Sequence, residues 1–295
     1  MVLNSSLPSL TSKWAVGLIV LPLAVPVTYL LYLDRALSKQ FKTATGIRNR
    51  KKLASALPPA ISRPNSLPPE VDSDDSEWVL VCERVVSMPV RPYHLLYEPK
   101  ARLSGILTTY IRASMTAFSW TPQALILWAC AGDSAARKTF NGQFIRNLEF
   151  RHGDRVNGFW RVVYRDTGAA HGDSERLEMA LDPPPNYRGP VVRGLVVAAV
   201  EKQSDGSIVF VNETWMWRKQ SENSVLLERS AGQWLHVLLS EWLVMKGLRA
   251  VAEESGRAST DQQHLDSSHR GKRGTFLPDL QSREKKRDKE RLIIK

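Results

Sequence analysis

The sequence predicts an α+β protein in which a single N-terminal transmembrane helix precedes an antiparallel sheet packed on a long C-terminal helix. Three observations support this. Residues 14–33 are apolar and uncharged, apolar and polar residues alternate with a period of two from 159 to 219, and apolar residues recur at helical spacing from 231 to 252. The 295 residues, 43% of them hydrophobic, suffice for one sizeable domain and exclude a wholly disordered chain.

The segment 14–33 is predicted to cross a membrane. Its twenty residues would span about 30 Å as a helix, which matches one hydrocarbon core. Aromatic residues lie near both ends, as at a membrane–water interface: Trp14, Tyr29 and Tyr32. The alternative is a cleaved signal peptide, whose apolar core is usually shorter and is followed by small residues at the cleavage site.

Charges beside this segment predict its orientation. Seven basic residues and one acidic residue follow it between positions 34 and 52. The positive-inside rule therefore places the rest of the chain in the cytosol, with the endoplasmic reticulum as the preferred membrane and a mitochondrial membrane as the alternative. We predict four regions: an anchor at 1–34, a basic flank and Pro-rich linker at 35–76, a folded body at 77–252, and a disordered charged tail at 253–295.

Local patterns predict the elements of the body. Strands are expected at 77–86, 159–165, 176–181, 191–202 and 207–219, with two or three helices at 93–130 and a last helix at 231–252. Asp205-Gly206 is a strong hairpin signal between the last two strands. The apolar run 121–131 starts with a Thr cap and a proline. It is either a buried core helix or a helix lying in the membrane interface.

This order of elements resembles the START/Bet v 1-like superfamily, whose helix-grip fold wraps a curved sheet around a long C-terminal helix. The resemblance covers about 78–251 and rests on element order. It implies an apolar cavity between the sheet and the last helix. A hot-dog or lipocalin-like sheet is the competing prediction. The chain has no glycine-rich phosphate loop, which argues against a nucleotide-binding Rossmann domain.

The sequence contains no established metal or cofactor motif. Two cysteines exclude a disulfide scaffold and a cysteine-based zinc finger. His-Glu-x-x-His, Cys-x-x-Cys and Gly-x-Ser-x-Gly are all absent. The net charge of +11 is concentrated in the anchor flank and the tail, which indicates a membrane partner and no nucleic-acid partner. We therefore predict no metal and no cofactor.

Three residues are candidate catalytic groups. Glu213 lies in an apolar row of a strand, where burial would raise its pKa and suit it to acid–base chemistry. The alternative for Glu213 is an ion pair with Arg161 or Arg193. His236 and Glu241 lie on the last helix, where an interior histidine and carboxylate can transfer protons. A hydrogen-bonded structural histidine, and a contact of Glu241 with a helix lysine, are the alternatives.

Aromatic residues are predicted to bind an apolar substrate. The candidate substrate-binding residues are Trp215, Trp217, Trp234 and Arg161. Tryptophan walls suit a bulky apolar ligand, although tryptophans also fill protein cores.

The stretches NETWMWR at 212–218 and GQWLH at 232–236 carry a resemblance to the membrane-anchored proteins without recognised motifs found in fungal secondary-metabolite gene clusters. This resemblance implies a cofactor-free cyclisation or isomerisation of a polyketide- or terpenoid-like intermediate. The implied partners are a membrane, an apolar small molecule and other membrane-bound biosynthetic enzymes. Two alternatives remain: a lipid or sterol binder, and an anchored adaptor for a P450 or synthase. A cavity with a polar centre favours the enzyme, an apolar cavity the binder, and a filled core the adaptor.

Overall fold

The computed structural model describes residues 13–48, 63–72, 77–91, 103–166, 174–187 and 191–273, with the backbone alone described for 13–24, 104 and 255–273. The helices are α1 (Lys13–Leu37), α2 (Pro69–Asp72), α3 (Leu103–Phe118), α4 (Pro122–Cys130), α5 (Ser134–Lys138), α6 (Gly142–Asn147) and α7 (Ser230–Arg273). The strands are β1 (Phe41–Arg48), β2 (Trp78–Ser87), β3 (Arg155–Val156), β4 (Trp160–Arg165), β5 (Ser174–Leu181), β6 (Arg193–Lys202) and β7 (Ile208–Lys219).

The strands form one seven-stranded antiparallel sheet in the order β1-β2-β7-β6-β5-β4-β3. The predicted α+β class, antiparallel sheet and long C-terminal helix are thereby confirmed. The hairpin between β6 and β7 also forms as expected. Gln203 N donates to Ser207 O over 2.7 Å, and Gly206 adopts the positive φ of +80° that the turn requires.

Across the ranges that the structure describes, no helix is both long and apolar enough to cross a membrane. The predicted transmembrane helix therefore has no support from the structure.

The C-terminal end of α1 packs on the folded body. Leu37 is 2% exposed, and Leu30 and Leu33 contact the same core. Trp234 Nε1 of α7 donates a hydrogen bond of 2.9 Å to Asp34 Oδ1. The end of α1 is therefore part of the body, although the sequence places residues 1–34 in a separate anchor.

Two stretches of the predicted linker also belong to the fold. β1 adds an edge strand by pairing with β2 along its length. The segment 63–72 covers one face of the sheet, where Leu67 and Val71 pack on Leu80 and Trp215. Local sequence patterns do not predict these contacts, because β1 is mostly polar and the segment 63–72 follows several prolines.

Helices α3 and α7 cover the opposite face of the sheet. Among the described residues, the space where a helix-grip cavity would lie is occupied by buried side chains, including Leu107, Tyr110, Phe150, Phe210 and Leu238. The rings of Tyr110 and Phe210 are 5.2 Å apart. Helix α7 continues past 252 to Arg273, and residues 274–295 of the predicted tail lie outside the described ranges.

Gly247→Ala should destabilise the protein by about 1–3 kcal/mol, because a larger residue overpacks the contact between α7 and α3. A Cβ at Gly247 would lie 2.2 Å from Tyr110 Cδ2 and 2.7 Å from Ser114 Oγ. Thermal denaturation measures the effect. Gly105→Ala is the matched control in α3, because its Cβ would meet nothing within 4 Å. Equal stability of Gly247→Ala and the wild type would contradict this close packing.

Candidate active site

The structure divides the predicted site residues between the two faces of the sheet. One group lies on β7 and faces the segment 63–72: Glu213, Trp215 and Trp217. A second group lies on α7, across the sheet: Trp234, His236 and Glu241. Arg161 lies apart from both on β4, where its Nε is 2.9 Å from Asp182 Oδ2. The predicted residues therefore do not form one site.

Glu213 is held in an ion pair, as the alternative prediction proposed, but with different partners. Its side chain is 1% exposed. The carboxylate accepts hydrogen bonds from Arg84 Nη1, from Arg176 Nη2 at 3.4 Å and from Trp215 Nε1 at 3.0 Å. Arg161 and Arg193 pair instead with Asp182 and Glu222. Both oxygens of Glu213 are thus engaged by the protein itself.

This pair is part of a larger ion network, formed by Arg84, Arg176, Glu178, Glu201 and Glu213. Arg84 Nη2 donates to both oxygens of Glu201, at 3.0 and 3.1 Å. Glu178 accepts hydrogen bonds from the backbone N–H groups of Asn65 and Ser66 at 2.8 and 2.7 Å. The ion network therefore holds the segment 63–72 against the sheet through these hydrogen bonds. Trp215 and Trp217 are buried beneath that segment.

A second polar cluster lies on the helix side, where α1, β1, β2 and α7 meet. We call it the acid–base cluster; its members are Asp34, Thr43, Glu83, His236, Ser240 and Glu241. Glu83 Oε1 accepts a hydrogen bond from His236 Nδ1 and one from Ser240 Oγ, both of 2.9 Å. Glu83 and Glu241 are 2% and 4% exposed. The structure therefore brings the predicted residues His236 and Glu241 into one cluster with Glu83, which sequence analysis did not identify as a candidate.

A sequence signal for Glu83 exists in β2, where Glu83 and Arg84 interrupt the apolar run 78–86. Because successive strand residues point to opposite faces, adjacent charges go to opposite sides of a sheet. Glu83 accordingly meets α7, and Arg84 joins the ion network. Two consecutive charges in a buried strand thus predict one polar cluster on each face.

The contact with Glu83 determines which nitrogen of His236 is basic. In the neutral ring, a hydrogen bond to an ionised carboxylate, which only accepts, places the proton on Nδ1 and leaves the lone pair on Nε2. Nε2 has no hydrogen-bond partner among the described residues, and the side chain is 18% exposed. Ser240 Oγ lies 3.4 Å from Nδ1, on the side of the acid. A serine nucleophile would have to sit at Nε2, so this is a base-and-carboxylate pair without a triad serine.

Glu241 is an acid buried next to other acids. Burial raises the pKa of its carboxyl above the ordinary value, and the negative charges of Asp34 and Glu83 raise it further, while a 3.1 Å hydrogen bond from Thr43 Oγ1 opposes the shift. Glu241 therefore keeps its proton to a higher pH than an exposed glutamate. His236 and Glu241 are five residues apart on α7, a rise of about 7.5 Å.

Glu241→Gln should raise the melting temperature at pH 8. Because the folded-state pKa of Glu241 lies above its ordinary value of 4.5, stability falls as the pH rises from there through the folded-state pKa. Gln keeps the acceptor for Thr43 but cannot ionise, so the gain should vanish below about pH 4.5. A change of 1 kcal/mol in the free energy of unfolding corresponds to a change of roughly 2–4 °C in Tm. Exposed Glu253→Gln on α7 is the control; identical pH profiles for both variants would contradict the shift.

The part of the chain that the structure describes holds no group of three or more His, Cys, Asp or Glu residues arranged to bind a metal ion. No protein-family model, curated protein or solved structure matches this chain. Function is therefore inferred from the geometry of the acid–base cluster.

Proposed function

We propose that the protein is a proton-transfer enzyme acting on an apolar substrate, with the acid–base cluster as its active site. The reaction class is an isomerisation or cyclisation of a polyketide- or terpenoid-like intermediate. The hydrogen bond between Glu83 and His236 carries the proposal, because it leaves Nε2 as a base on a partly exposed ring. A histidine oriented by a carboxylate is a common arrangement for general-base catalysis.

Glu241 supplies the complementary acid. In the isomerisation of a β,γ-unsaturated carbonyl compound, His236 Nε2 removes a proton from the carbon between the carbonyl and the C=C bond, the C–H electron pair forms a new C=C bond, and the Glu241 carboxyl protonates the carbonyl oxygen. The resulting dienol returns its O–H proton to Glu241 and takes the proton of His236 at the γ carbon, so that the C=C bond moves into conjugation with the carbonyl. Atoms and charges balance, and both side chains recover their starting state. A base and an acid whose pKa values are separated by their environments suit this chemistry.

The surroundings of the acid–base cluster support an apolar substrate. Val81 and Val85 lie on the same face of β2 as Glu83, and Trp234 and Leu238 of α7 pack against the core nearby. Glu83 Oε2 is buried and has no hydrogen-bond partner within the described ranges. Buried polar atoms are normally paired, so this oxygen is available to a polar group of a bound molecule.

We also propose that the protein is bound to the membrane of the endoplasmic reticulum, with its body facing the cytosol. Helix α1 contributes Asp34 to the cluster, and it exposes five large apolar or aromatic side chains: Val25, Val27, Tyr29, Leu31 and Tyr32. A substrate dissolved in the membrane would reach the site beside α1, and other membrane-bound biosynthetic enzymes would exchange intermediates with it.

Removing residues 1–24 tests this location without removing the leucines of α1 that pack on the body. The full chain should stay in the membrane fraction in alkaline carbonate, and the shortened chain should be released. Release of both chains, or retention of both, would contradict attachment through α1.

An anchored adaptor for another biosynthetic enzyme is the second candidate. The filled space between the sheet and its helices favours it, because Tyr110, Phe150 and Phe210 occupy the position expected for a ligand cavity. An adaptor would need no base at His236.

Deuterium exchange separates the two candidates. Full-length protein is incubated in D₂O with the apolar extract of the cells that produce it, and mass spectrometry follows single-deuterium incorporation. The wild type should label at least one compound, and His236→Gln should do so about 10²–10⁴-fold more slowly. His152→Gln, at an exposed turn, is the control and should match the wild type. Absence of labelling, or equal labelling by His236→Gln, would contradict the enzyme and favour the adaptor.

A further inference from the structure

Helix α4, the turn before it and α6 expose apolar side chains on a surface that we call the α4 face: Trp120, Leu125, Ile126, Trp128 and Phe144. Trp120 is 83% exposed and Ile126 is 65% exposed, whereas Ala124 is the buried residue of the helix. A buried core helix, one of the two predictions for 121–131, is therefore wrong. Large apolar side chains clustered on a surface commonly mark an interaction site.

A groove of about 660 Å³ adjoins the α4 face, between the end of α3, α4 and α6. Trp120, Leu125 and Trp128 form its apolar wall, and Thr116, Asn141, Gln143 and Arg146 are among its polar lining residues. Thr116 Oγ1 is buried there without a hydrogen-bond partner among the described residues. The groove thus offers an apolar wall and a guanidinium side by side.

The charge around the α4 face is positive. Between positions 103 and 149 the chain carries four basic residues, Arg112, Arg137, Lys138 and Arg146, and two acidic residues, Asp133 and Glu149. Glu149 pairs with Arg112, which leaves Arg137, Lys138 and Arg146 as the cations beside the α4 face. Asp133 caps α5 by accepting a hydrogen bond from Ala136 N. The Arg137 guanidinium lies 4.9 Å from the ring centre of Trp128. Basic and aromatic groups therefore share this surface.

We infer that the α4 face docks on an anionic phospholipid bilayer. Leu125 and Ile126 enter the acyl boundary, and the exposed tryptophans lie at the headgroup level, where indoles are favoured. Arg137, Lys138 and Arg146 attract lipid phosphates, and the groove receives one lipid headgroup. A bilayer fits better than a protein partner, because it accepts apolar and cationic groups together over a flat area. This inference is independent of the acid–base proposal and of attachment through α1.

The two cysteines of the chain allow a direct test in the full-length protein. Cys130 is exposed at the end of α4. Cys82 is buried, and burial, together with the nearby charge of Glu213, raises the pKa of its thiol to about 12. A thiol-reactive, polarity-sensitive fluorophore at neutral pH should therefore label Cys130 alone.

The labelled protein is mixed with vesicles of phosphatidylcholine alone or of phosphatidylcholine with phosphatidylserine. Docking predicts a blue shift and quenching by brominated acyl chains on the anionic vesicles, weakened by salt. The variant Trp120→Ser/Leu125→Ser/Ile126→Ser should bind at least about tenfold more weakly by this signal. Val191→Ser/Leu235→Ser, which removes exposed apolar residues elsewhere, is the matched control and should match the wild type.

Three results would overturn the inference. The first is a label that stays in water although the chain floats with the vesicles, which would leave α1 as the attachment. The second is a signal from the triple variant equal to that of the wild type. The third is a blue shift with a soluble protein fraction and none with vesicles, which would assign the α4 face to a protein partner.

Discussion

Replacing Glu83 by Gln should slow proton transfer by about 10²–10⁴-fold and leave the fold intact. Gln has nearly the same shape, but it is neutral and its amide also donates hydrogen bonds. It therefore no longer fixes the proton on His236 Nδ1, and it no longer stabilises the imidazolium that forms when Nε2 takes a proton. The measurement is the rate of deuterium exchange into the labelled compound, with thermal denaturation as the check on folding.

The effect of Glu83→Gln should fall on kcat more than on KM, because Glu83 acts through His236 and is a positioning residue. Ser240→Ala is the matched control, since it removes the other donor to the same Glu83 oxygen and leaves the histidine contact. It should cost less activity than Glu83→Gln. An exchange rate of Glu83→Gln within twofold of the wild type would remove Glu83 from the proposed mechanism.

Replacing Arg84 by Met should lower the free energy of unfolding by about 3–5 kcal/mol. Glu213 is 1% exposed, and Arg84 pairs with it and with Glu201. Removing one partner of a buried pair leaves an incompletely compensated charge in the interior. The expected fall in melting temperature is roughly 6–20 °C at neutral pH. Arg84→Met/Glu213→Gln should recover part of the loss, because the buried charge is then absent.

Arg193→Met is the matched control for the ion network. Arg193 pairs with Glu222, and the two side chains are about one-third exposed. A solvated pair contributes at most about 1 kcal/mol, so Arg193→Met should have a small effect. Equal losses from Arg84→Met and Arg193→Met would contradict the account of the ion network.

Local patterns in the sequence predict most of the central sheet. Strands β5, β6 and β7 follow from alternation, the hairpin between β6 and β7 follows from Asp205-Gly206, and α7 follows from helical spacing. These signals are local because each strand of the meander pairs with its neighbour in the chain.

The parts that escape prediction depend on contacts between distant segments. β1 has few apolar residues, and its position follows from pairing with the edge of β2. The segment 63–72 is ordered by Glu178, which lies more than one hundred positions later in the chain. The apolar composition of α1 indicates a membrane span, whereas the contacts of Leu37 and Asp34 depend on the completed body.

The candidate site shows the same division. Sequence analysis identifies Glu241 as a candidate because it interrupts an apolar stripe, and His236 because it lies on the same helix. Their partners Thr43 and Glu83 come from β1 and β2, 198 and 153 positions earlier in the chain. Glu213 draws attention by the same reasoning and lies on the other face. One strand pattern does not reveal which face carries the histidine.

The protonation of the His236 ring tests the central claim most directly. Nitrogen-15 NMR of histidine-labelled protein, assigned by comparison with His236→Gln, distinguishes Nδ1–H from Nε2–H in the neutral ring at alkaline pH. The geometry predicts a proton on Nδ1 and a bare Nε2, with loss of this preference in Glu83→Gln. A proton on Nε2 in the wild type would leave no base facing a substrate and would contradict the proposed proton transfer.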